Sequence, residues 1–209
     1  MNKFLHIGFV IVILLIVSCA ALPPDIAPER VDPLPEPAPE RLPEFIMSYG
    51  VVHAGVMALF LLQNNPQADA GFVQTLALLY VEEASHEGVN HDIAFAQMCL
   101  ETGFLKFGGL VQPEWNNFAG LGAIGPEQPG LVFPDPRTGV RAQIQHLKAY
   151  ASEEPLNLAL VNPRFRFVRR GSSPTIEGLA GTWAADRQYA VKINSILQRL
   201  YEFSEQLNA

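Results

Sequence analysis

Residues 91–104 read HDIAFAQMCLETGF, and this stretch decides the fold of the chain. Gln97 and Glu101 are the only polar residues in its middle, and their spacing of four places them on one face of a helix. A helix that is apolar nearly all round is a buried helix. The pattern therefore predicts a central helix that ends at Gly103 and contains Cys99 as a small buried hydrophobe.

Glu101 ends this predicted helix just before a long loop rich in Gly and Pro, residues 106–136. A loop of that length is unusual unless it has a functional role. Burial raises the pKa of a carboxyl group, which keeps a glutamic acid protonated for general-acid catalysis at neutral pH. Gln97 is expected either to hold the rotamer of Glu101 or to bind substrate. Spacing alone leaves a structural role for Glu101 open, as a buried carboxylate hydrogen-bonded to the loop.

The residues on either side of 91–104 predict further helices. Asn64-Asn65-Pro66 ends the first helix, Gly88 ends the second, and Asp186 caps the last. No convincing strand pattern and no internal repeat accompany them, so the predicted fold class is all-α. The predicted helices span 52–62, 71–87, 138–152 (or from Arg137), 175–184 and 186–207.

The composition excludes several classes of protein. A chain of 209 residues has room for one domain, and 49% hydrophobic residues are enough for a core. The net charge of −7 argues against a nucleic-acid binder, which normally has a basic surface. His86-Glu87-x-x-x-His91 has one residue too many for a zinc-binding HExxH helix, and Gly88 interrupts it. We therefore expect no metal and no cofactor.

The charged and titratable residues of the predicted helices have plain interpretations. Glu82, Glu83 and Glu87 predict a solvated acidic face, although Glu83 is close enough in the chain to approach a cleft. His146 stands between apolar residues and predicts a structural histidine of the core.

The first residues, MNKFLHIGFVIVILLIVSC, are typical of a secretion signal. The apolar run is shorter than the roughly 20 residues of a membrane-spanning helix. Ile16-Val17-Ser18-Cys19 is similar to a bacterial lipobox, so 1–18 is interpreted as a lipoprotein signal peptide and Cys19 as the lipidated residue. An uncleaved anchor, or a plain signal with an incidental Cys, remains open, as does a second membrane span over 45–62.

The segment that follows the predicted lipidation site is a Pro-rich spacer. Residues 19–44 contain too few large apolar side chains for a core and favour extended polyproline conformations. The predicted organisation is thus a signal peptide over 1–18, a lipidated Cys19 with its linker over 19–44, and one domain over 45–209. With Cys19 lipidated, Cys99 has no disulfide partner.

Three motifs follow one another in the predicted domain. They are Ala96-Gln97-x-x-x-Glu101-Thr102-Gly103-Phe104, Asn116-Asn117-Phe118-Ala119-Gly120-Leu121-Gly122 and Trp183-Ala184-Ala185-Asp186-x-x-Tyr189-x-x-Lys192-Ile193. In this order they resemble the glucosaminidase domain of glycoside hydrolase family 73, and Gly108-Gly109 with 140–150 is similar to one subgroup of it. The resemblance extends from about Ile46 to the last helix. It implies a lysozyme-like helical domain with a long active-site loop, in a bacterial cell-wall hydrolase.

The resemblance also implies roles for individual residues. Glu101 matches the general acid of the family, and Tyr189 matches a tyrosine that faces the catalytic centre from the last helix. Asn117 and Phe118, with Gly120, match the loop that lines the sugar cleft, where the ring of Phe118 would stack on a sugar face. Asp186 is interpreted as a helix cap.

A glycosidase usually needs a second carboxylate, as a base or as a nucleophile. Family members often place this acid on a β-hairpin, but the interval 123–135 is too short here for a long hairpin. Glu127 and Asp135 are the acids available, and Glu127 is preferred because Asp135 lies between two prolines near a helix start. Substrate assistance by the 2-acetamido group of the sugar is the alternative.

One basic cluster stands out in this acidic protein, and it consists of Arg164, Arg166, Arg169 and Arg170. These residues are expected either to contact the lactyl carboxylate or the peptide acids of peptidoglycan, or to be scattered surface cations.

The predicted function is a monomeric peptidoglycan hydrolase, an endo-β-N-acetylglucosaminidase that cleaves the glycan strand after N-acetylglucosamine. Its partners would be peptidoglycan strands and, through a lipid anchor, a membrane of the bacterial cell envelope, on the periplasmic or outer side. Two alternatives remain: a lytic transglycosylase, which forms an anhydro-muramyl end, and a non-catalytic peptidoglycan-binding lipoprotein.

Overall fold

The computed structural model describes residues 42–208, and this part of the chain is helical. The predicted signal peptide, Cys19 and the linker as far as residue 41 lie outside the described residues. Within 42–208 there is no β-strand beyond isolated bridges, which confirms the all-α fold class. The α-helices are α1 (Ala54–Asn64), α2 (Ala70–Glu87), α3 (His91–Thr102), α4 (Pro136–Ala151) and α5 (Tyr189–Asn208), and short 3-10 turns lie at Pro113–Trp115, Phe165–Phe167 and Glu177–Leu179.

Helix α3 forms the centre of the domain, as its apolar pattern predicts. Every residue from Asp92 to Cys99 is buried. The Asn90 side chain caps the start of the helix by accepting hydrogen bonds from the backbone N–H groups of Asp92 and Ile93. Gly103 ends it in the left-handed conformation that favours glycine, with φ of 58°. Helices α2, α4 and α5 all pack against α3.

A buried carboxylate in the first turn of α3 ties the two ends of the domain to its centre. Asp92 accepts hydrogen bonds from the backbone N–H groups of Val51 (2.8 Å) and Val52 (3.2 Å), and from the hydroxyl of Tyr201 in α5 (3.0 Å). A buried charge is tolerated when it is satisfied in this way. The hydrogen bond from Tyr201 positions α5 against α3.

The acidic face predicted on α2 is solvated only at Glu82, which is exposed. Glu83 is fully buried between Arg137 and Arg141, at 2.7 Å from each, and Glu87 is 1% exposed and lies 2.9 Å from the ammonium of Lys148. The prediction was wrong for Glu83 and Glu87 because Arg141 and Lys148, seven residues apart on α4, face α2 and supply the partners. These ion pairs hold α4 beside α2.

The C-terminal part of the chain contains less helix than predicted. Over 175–184 only the 3-10 turn Glu177–Leu179 forms, and the chain then turns so that the N–H groups of Thr182 and Trp183 both bond to the carbonyl of Leu179. Gly181 adopts φ of 86° in this turn, which is incompatible with a continuing helix. The last helix begins at Tyr189 rather than at residue 186, and these changes bring Trp183 and Tyr189 to the end of α3.

No helix within residues 42–208 is both long enough and apolar enough to cross a membrane. The second span considered over 45–62 is therefore not formed, since α1 begins at Ala54 and has 11 residues.

Candidate active site

Glu101 lies where α3, α5 and the turn before α5 meet. Its Oε1 atom accepts a hydrogen bond from the hydroxyl of Tyr189, the first residue of α5, and a second from Nε1 of Trp183 at 3.2 Å. Tyr189 and Trp183 are 88 and 82 residues from Glu101 in the chain, so tertiary packing alone brings the three together. The structure thus unites Glu101 with Tyr189, as the resemblance implied.

A small cleft opens on the other side of the carboxyl group. It has a volume of about 170 Å³ and is bounded by Glu101 and by residues of the Gly-rich loop. Gly120 has φ of 61°, and a Cβ atom there would lie 3.5 Å from Glu101 Oε2, so the loop backbone passes close to this oxygen. Within the described residues Oε2 has no hydrogen-bond partner, and it faces the cleft. The other lining residues are Thr102, Phe107, Gly109, Leu110, Val111, Asn117 and Ala123.

Glu101 is exposed to solvent, and its carboxyl group also lies against Tyr189, Trp183 and the loop at Gly120. Desolvation by these surroundings raises the pKa of its carboxyl group above the ordinary value, and the hydrogen bonds from Tyr189 and Trp183 lower it by a smaller amount. The net direction is upward, which favours the protonated acid. A carboxyl group with a raised pKa in a cleft is suited to give a proton to a bound molecule.

A buried chain of hydrogen bonds leads from α2 to Glu101. The hydroxyl of Tyr80 donates to Gln143 Oε1 (2.5 Å), Gln143 Nε2 donates to Gln97 Oε1 (2.8 Å), and Gln97 Nε2 donates to the hydroxyl of Tyr189 (3.0 Å). Tyr189 then donates to Glu101. Tyr80, Gln143 and Gln97 are fully buried and Tyr189 is 4% exposed, so water does not interrupt the chain.

The direction of this chain is set by one backbone carbonyl. Gln143 Nε2 also donates to the carbonyl oxygen of Ala94 at 3.0 Å, and a carbonyl can only accept. The amide of Gln143 is therefore fixed, and the atom of Gln97 that faces it must be the oxygen. Gln97 then presents its NH2 to the oxygen of Tyr189, and the proton of Tyr189 is left for Glu101.

This arrangement determines which oxygen of Glu101 can carry a proton. Oε1 receives two donors, from Tyr189 and Trp183, so it acts as an acceptor. The proton of the neutral acid therefore belongs on Oε2, which faces the cleft beside Gly120.

The predicted substrate-binding residues Gln97, Phe118 and Asn117 differ in their access to the cleft. Gln97 is fully buried behind Tyr189, which favours the orienting role over contact with substrate. Phe118 is 1% exposed and packs near the ring of Phe72, with centroids 6.4 Å apart, so it presents no face to a sugar. Asn117 lines the cleft but uses its side chain to hold the loop, through bonds to Leu121 and Leu131.

Neither candidate for the second acid contacts Glu101 within the described residues. Glu127 is exposed in a tight turn closed by a bridge between Gly125 and Gln128, and within 42–208 no hydrogen bond joins it to Glu101. Asp135 caps α4 by accepting from the N–H of Thr138 at 2.8 Å, and this bond lowers its pKa. Asp135 is thus occupied in a structural role, and Asp186 likewise accepts from the N–H of Gln188 ahead of α5.

Sequence reasoning missed the groups that surround these residues. Trp183 stands in the third motif, but its bond to Glu101 had no signal of its own. Its ring packs against His146, with centroids 4.9 Å apart, and His146 packs against Tyr150 at 5.4 Å. Burial lowers the pKa of His146 to about 4, so this ring is neutral at physiological pH. Gln143 stands within the subgroup motif 140–150, but neither Gln143 nor Tyr80 was assigned a role at the site.

The described residues include no group of three or more His, Cys, Asp or Glu side chains arranged to hold a metal ion.

Comparison with known proteins gives one family and one relative. The family model described as glucosaminidase, mannosyl-glycoprotein endo-beta-N-acetylglucosaminidase, matches residues 77–202. An uncharacterized protein of Borreliella burgdorferi is 44% identical over 165 residues, which are 79% of this chain and 81% of the relative. No solved structure matches the chain. The matched range contains Glu101, Trp183 and Tyr189, and the chain belongs to the glucosaminidase family, glycoside hydrolase family 73.

Proposed function

We propose that the protein is a peptidoglycan hydrolase that cleaves the glycan strand after N-acetylglucosamine, with Glu101 as the general acid. The observation that carries this proposal is the carboxyl group of Glu101, whose Oε1 is held by two donors while Oε2 faces a cleft. Membership of the glucosaminidase family supports the reaction class.

In the proposed mechanism Oε2 of Glu101 gives its proton to the glycosidic oxygen as the bond to the sugar breaks. The leaving oxygen becomes a hydroxyl, and Glu101 becomes a carboxylate. The hydrogen bonds from Tyr189 and Trp183 strengthen as negative charge develops on the carboxylate, so they stabilise the transition state more than the ground state. Glu101 then returns to its protonated form by taking a proton from the incoming water.

The second group of the reaction is either Glu127 or the 2-acetamido group of the substrate. Glu101 is the only carboxylate among the described residues that line the cleft, which favours substrate assistance. Glu127→Gln distinguishes the two routes. Loss of activity by about a hundredfold or more supports a catalytic Glu127, whereas near-normal activity supports the acetamido group.

A lone cleft carboxylate also fits a lytic transglycosylase, in which the muramyl 6-hydroxyl rather than water completes the reaction. This second candidate shares the role of Glu101, but it cleaves the bond after the muramyl residue and leaves an anhydro-muramyl end.

The test is to incubate the purified protein and its Glu101→Gln variant with peptidoglycan, and to identify the soluble fragments by mass spectrometry after borohydride reduction. Reduced N-acetylglucosamine ends that are absent with the variant support the proposal. Anhydro-muramyl ends support the transglycosylase. Binding without fragments from the wild type would instead indicate a non-catalytic wall-binding protein, and full activity of Glu101→Gln would refute the role of Glu101.

The proposed site of action is the cell envelope, with Cys19 as the lipid attachment point. The lipobox-like Ile16-Val17-Ser18-Cys19 and the Pro-rich residues after it support this proposal.

A further inference from the structure

The segment that follows α4 contains a concentration of positive charge in an acidic protein. The chain has 21 acidic residues and 14 Lys and Arg residues. Four of these 14 cations fall within residues 164–170. No acid occurs between residues 155 and 176. The segment is therefore locally cationic over a stretch of more than twenty residues.

Three of these four arginines are free to bind an anion. Within residues 42–208 none of the four forms an ion pair with a carboxylate. Arg170 has a structural role, because its guanidinium donates to the carbonyl oxygens of Ser152 and Glu154. Arg164 and Arg166 lie over the ring of Phe167, at 5.0 and 4.7 Å from its centroid. We call Arg164, Arg166 and the exposed Arg169 the arginine surface.

The ring of Phe167 gives this surface its geometry. It is 62% exposed, and the two guanidinium groups that contact it are held by cation–π attraction rather than by a carboxylate. Their N–H donors remain available to an incoming anion, since a guanidinium has five of them. Ordering the groups before binding reduces the entropy lost when a ligand arrives.

A continuous set of contacts connects the arginine surface to Glu101. The N–H of Arg164 donates to Asn162 Oδ1 (2.9 Å), and Asn162 Nδ2 contacts His146 Nδ1 (2.8 Å). The ring of His146 packs against Trp183, which donates to Glu101. Arg164 also lowers the pKa of His146 through its charge, as expected of a nearby cation. These contacts link the arginine surface to Glu101 through Trp183, on the Oε1 side of the carboxyl group.

We propose that the arginine surface binds the carboxylates of the peptide stems of peptidoglycan, on the Trp183 side of Glu101. This inference rests on the proposed function. N-acetylated sugars are neutral, so three cations without a carboxylate partner in the described residues have none in the sugar rings either. The stems that hang from the same glycan carry several carboxylates. Guanidinium groups bind carboxylates through paired N–H bonds. The surface thus selects glycan that bears acidic peptides.

The test combines a change in the protein with a change in the substrate. The variant Arg164→Gln/Arg166→Gln/Arg169→Gln removes the charge, and Arg164→Lys/Arg166→Lys/Arg169→Lys is the matched control that keeps it. The substrates are native peptidoglycan and peptidoglycan whose carboxyl groups are amidated with carbodiimide and ammonia. Thermal unfolding checks that both variants fold.

The charge-removing variant should raise KM on native peptidoglycan about tenfold with little change in kcat, as expected from three exposed charge contacts. The lysine variant should raise it less than about threefold. With amidated substrate, the KM of the wild type should rise by the same factor. The KM of the charge-removing variant should not rise further, because each change removes the same interaction. Added salt should also weaken binding of the wild type to native substrate.

Two results would overturn the proposal. One is an unchanged KM for the charge-removing variant. The other is an equal loss on native and amidated substrate, which would indicate a general structural effect. Binding to phosphatidylglycerol vesicles that depends on the arginines, with an unchanged KM, would assign the surface to a membrane instead.

Failure of the proposed function is recognised separately, because the wild type would then release no fragments from either substrate. Co-sedimentation with intact native and amidated sacculi still tests the surface in that case. The proposal is supported if the wild type binds native but not amidated sacculi, the charge-removing variant does not bind native sacculi, and the lysine variant does. Equal binding in all cases contradicts the proposal.

Discussion

At the scale of residues, the site is built around the two oxygens of one carboxyl group. Oε1 of Glu101 receives the donors of Tyr189 and Trp183, and Oε2 is left to the cleft. Desolvation raises the pKa of Glu101, and the two hydrogen bonds limit the rise. The same contacts thus control both where the proton sits and how firmly it is held.

Tyr189→Phe tests these separate roles of Oε1 and Oε2 of Glu101. Loss of the hydroxyl removes a bond that lowers the pKa of Glu101, so the pKa should rise further and the fall of kcat/KM on the alkaline side should move to higher pH. We expect kcat to decrease by about tenfold or more, since Oε1 can then also carry the proton. The profile is measured against Tyr49→Phe, which alters a tyrosine that is 84% exposed. An unshifted alkaline limb would contradict the assignment.

The raised pKa of Glu101 also predicts an effect on stability. An acid whose pKa is higher in the folded than in the unfolded state favours folding fully below the unfolded pKa, and that contribution is lost as pH rises through the folded pKa. Glu101→Gln stays neutral, so its melting temperature should exceed that of the wild type at pH 8 and should not at pH 4. Calorimetry at both values measures the difference. An equal difference at both pH values would show that ionisation of Glu101 is not the cause.

At the scale of elements, four helices cooperate to orient Glu101. The hydrogen-bond chain passes from Tyr80 in α2 to Gln143 in α4, Gln97 in α3 and Tyr189 in α5. The carbonyl of Ala94 gives the chain its direction. The packing that builds the core therefore also aligns the acid.

Gln143→Met interrupts this chain while nearly preserving the volume of the side chain. It leaves Tyr80 and Gln97 without their partner, so the free energy of unfolding should fall by about 2–4 kcal/mol. The amide of Gln97 is no longer held, so kcat should fall by about tenfold and the pH profile should shift as it does for Tyr189→Phe. Urea unfolding and pH–rate profiles measure the two effects.

Gln145→Met is the matched control for this variant. Gln145 is equally buried on α4, but it bonds to Ala159 and Val161 rather than to the chain. We expect it to lower stability without shifting the pH profile. A shift of the same size in both variants would mean that Gln143 acts only through stability.

At the scale of the whole molecule, the domain over 42–208 is expected to work at the end of a tether. This proposal rests on the lipobox-like Ile16-Val17-Ser18-Cys19 and on the Pro-rich sequence of residues 20–44.

Cys19→Ala tests the anchor. The variant should lose the mass of the attached lipid and move from the membrane fraction to the soluble fraction of a bacterial host, whereas Cys99→Ala, which alters a buried thiol, should stay with the membrane. Mass spectrometry and fractionation give the result. A Cys19→Ala protein that remains with the membrane would point to an uncleaved anchor.

Local patterns predicted most of the helices and failed where long-range contacts intervened. The apolar run of α3 and the glycines 88 and 103 gave correct helix positions because periodicity and capping are local properties. The helix predicted over 175–184 was wrong, since Gly181 and the contacts of Trp183 favour a turn. Glu83 and Glu87 were predicted to be solvated because their partners lie on a different helix, which no local pattern indicates.

The sequence by itself determined the all-α fold class, the family motifs and the position of Glu101 at the end of a buried helix, because each depends on residues close together in the chain. Only the tertiary structure decided which groups touch Glu101, that Phe118 and Gln97 are buried, and that contacts through His146 and Trp183 link the arginine surface to Glu101. The physical reason is distance along the chain. The hydrogen bonds of this site join residues 46 to 92 positions apart, and helix packing rather than any local pattern brings them within bonding range.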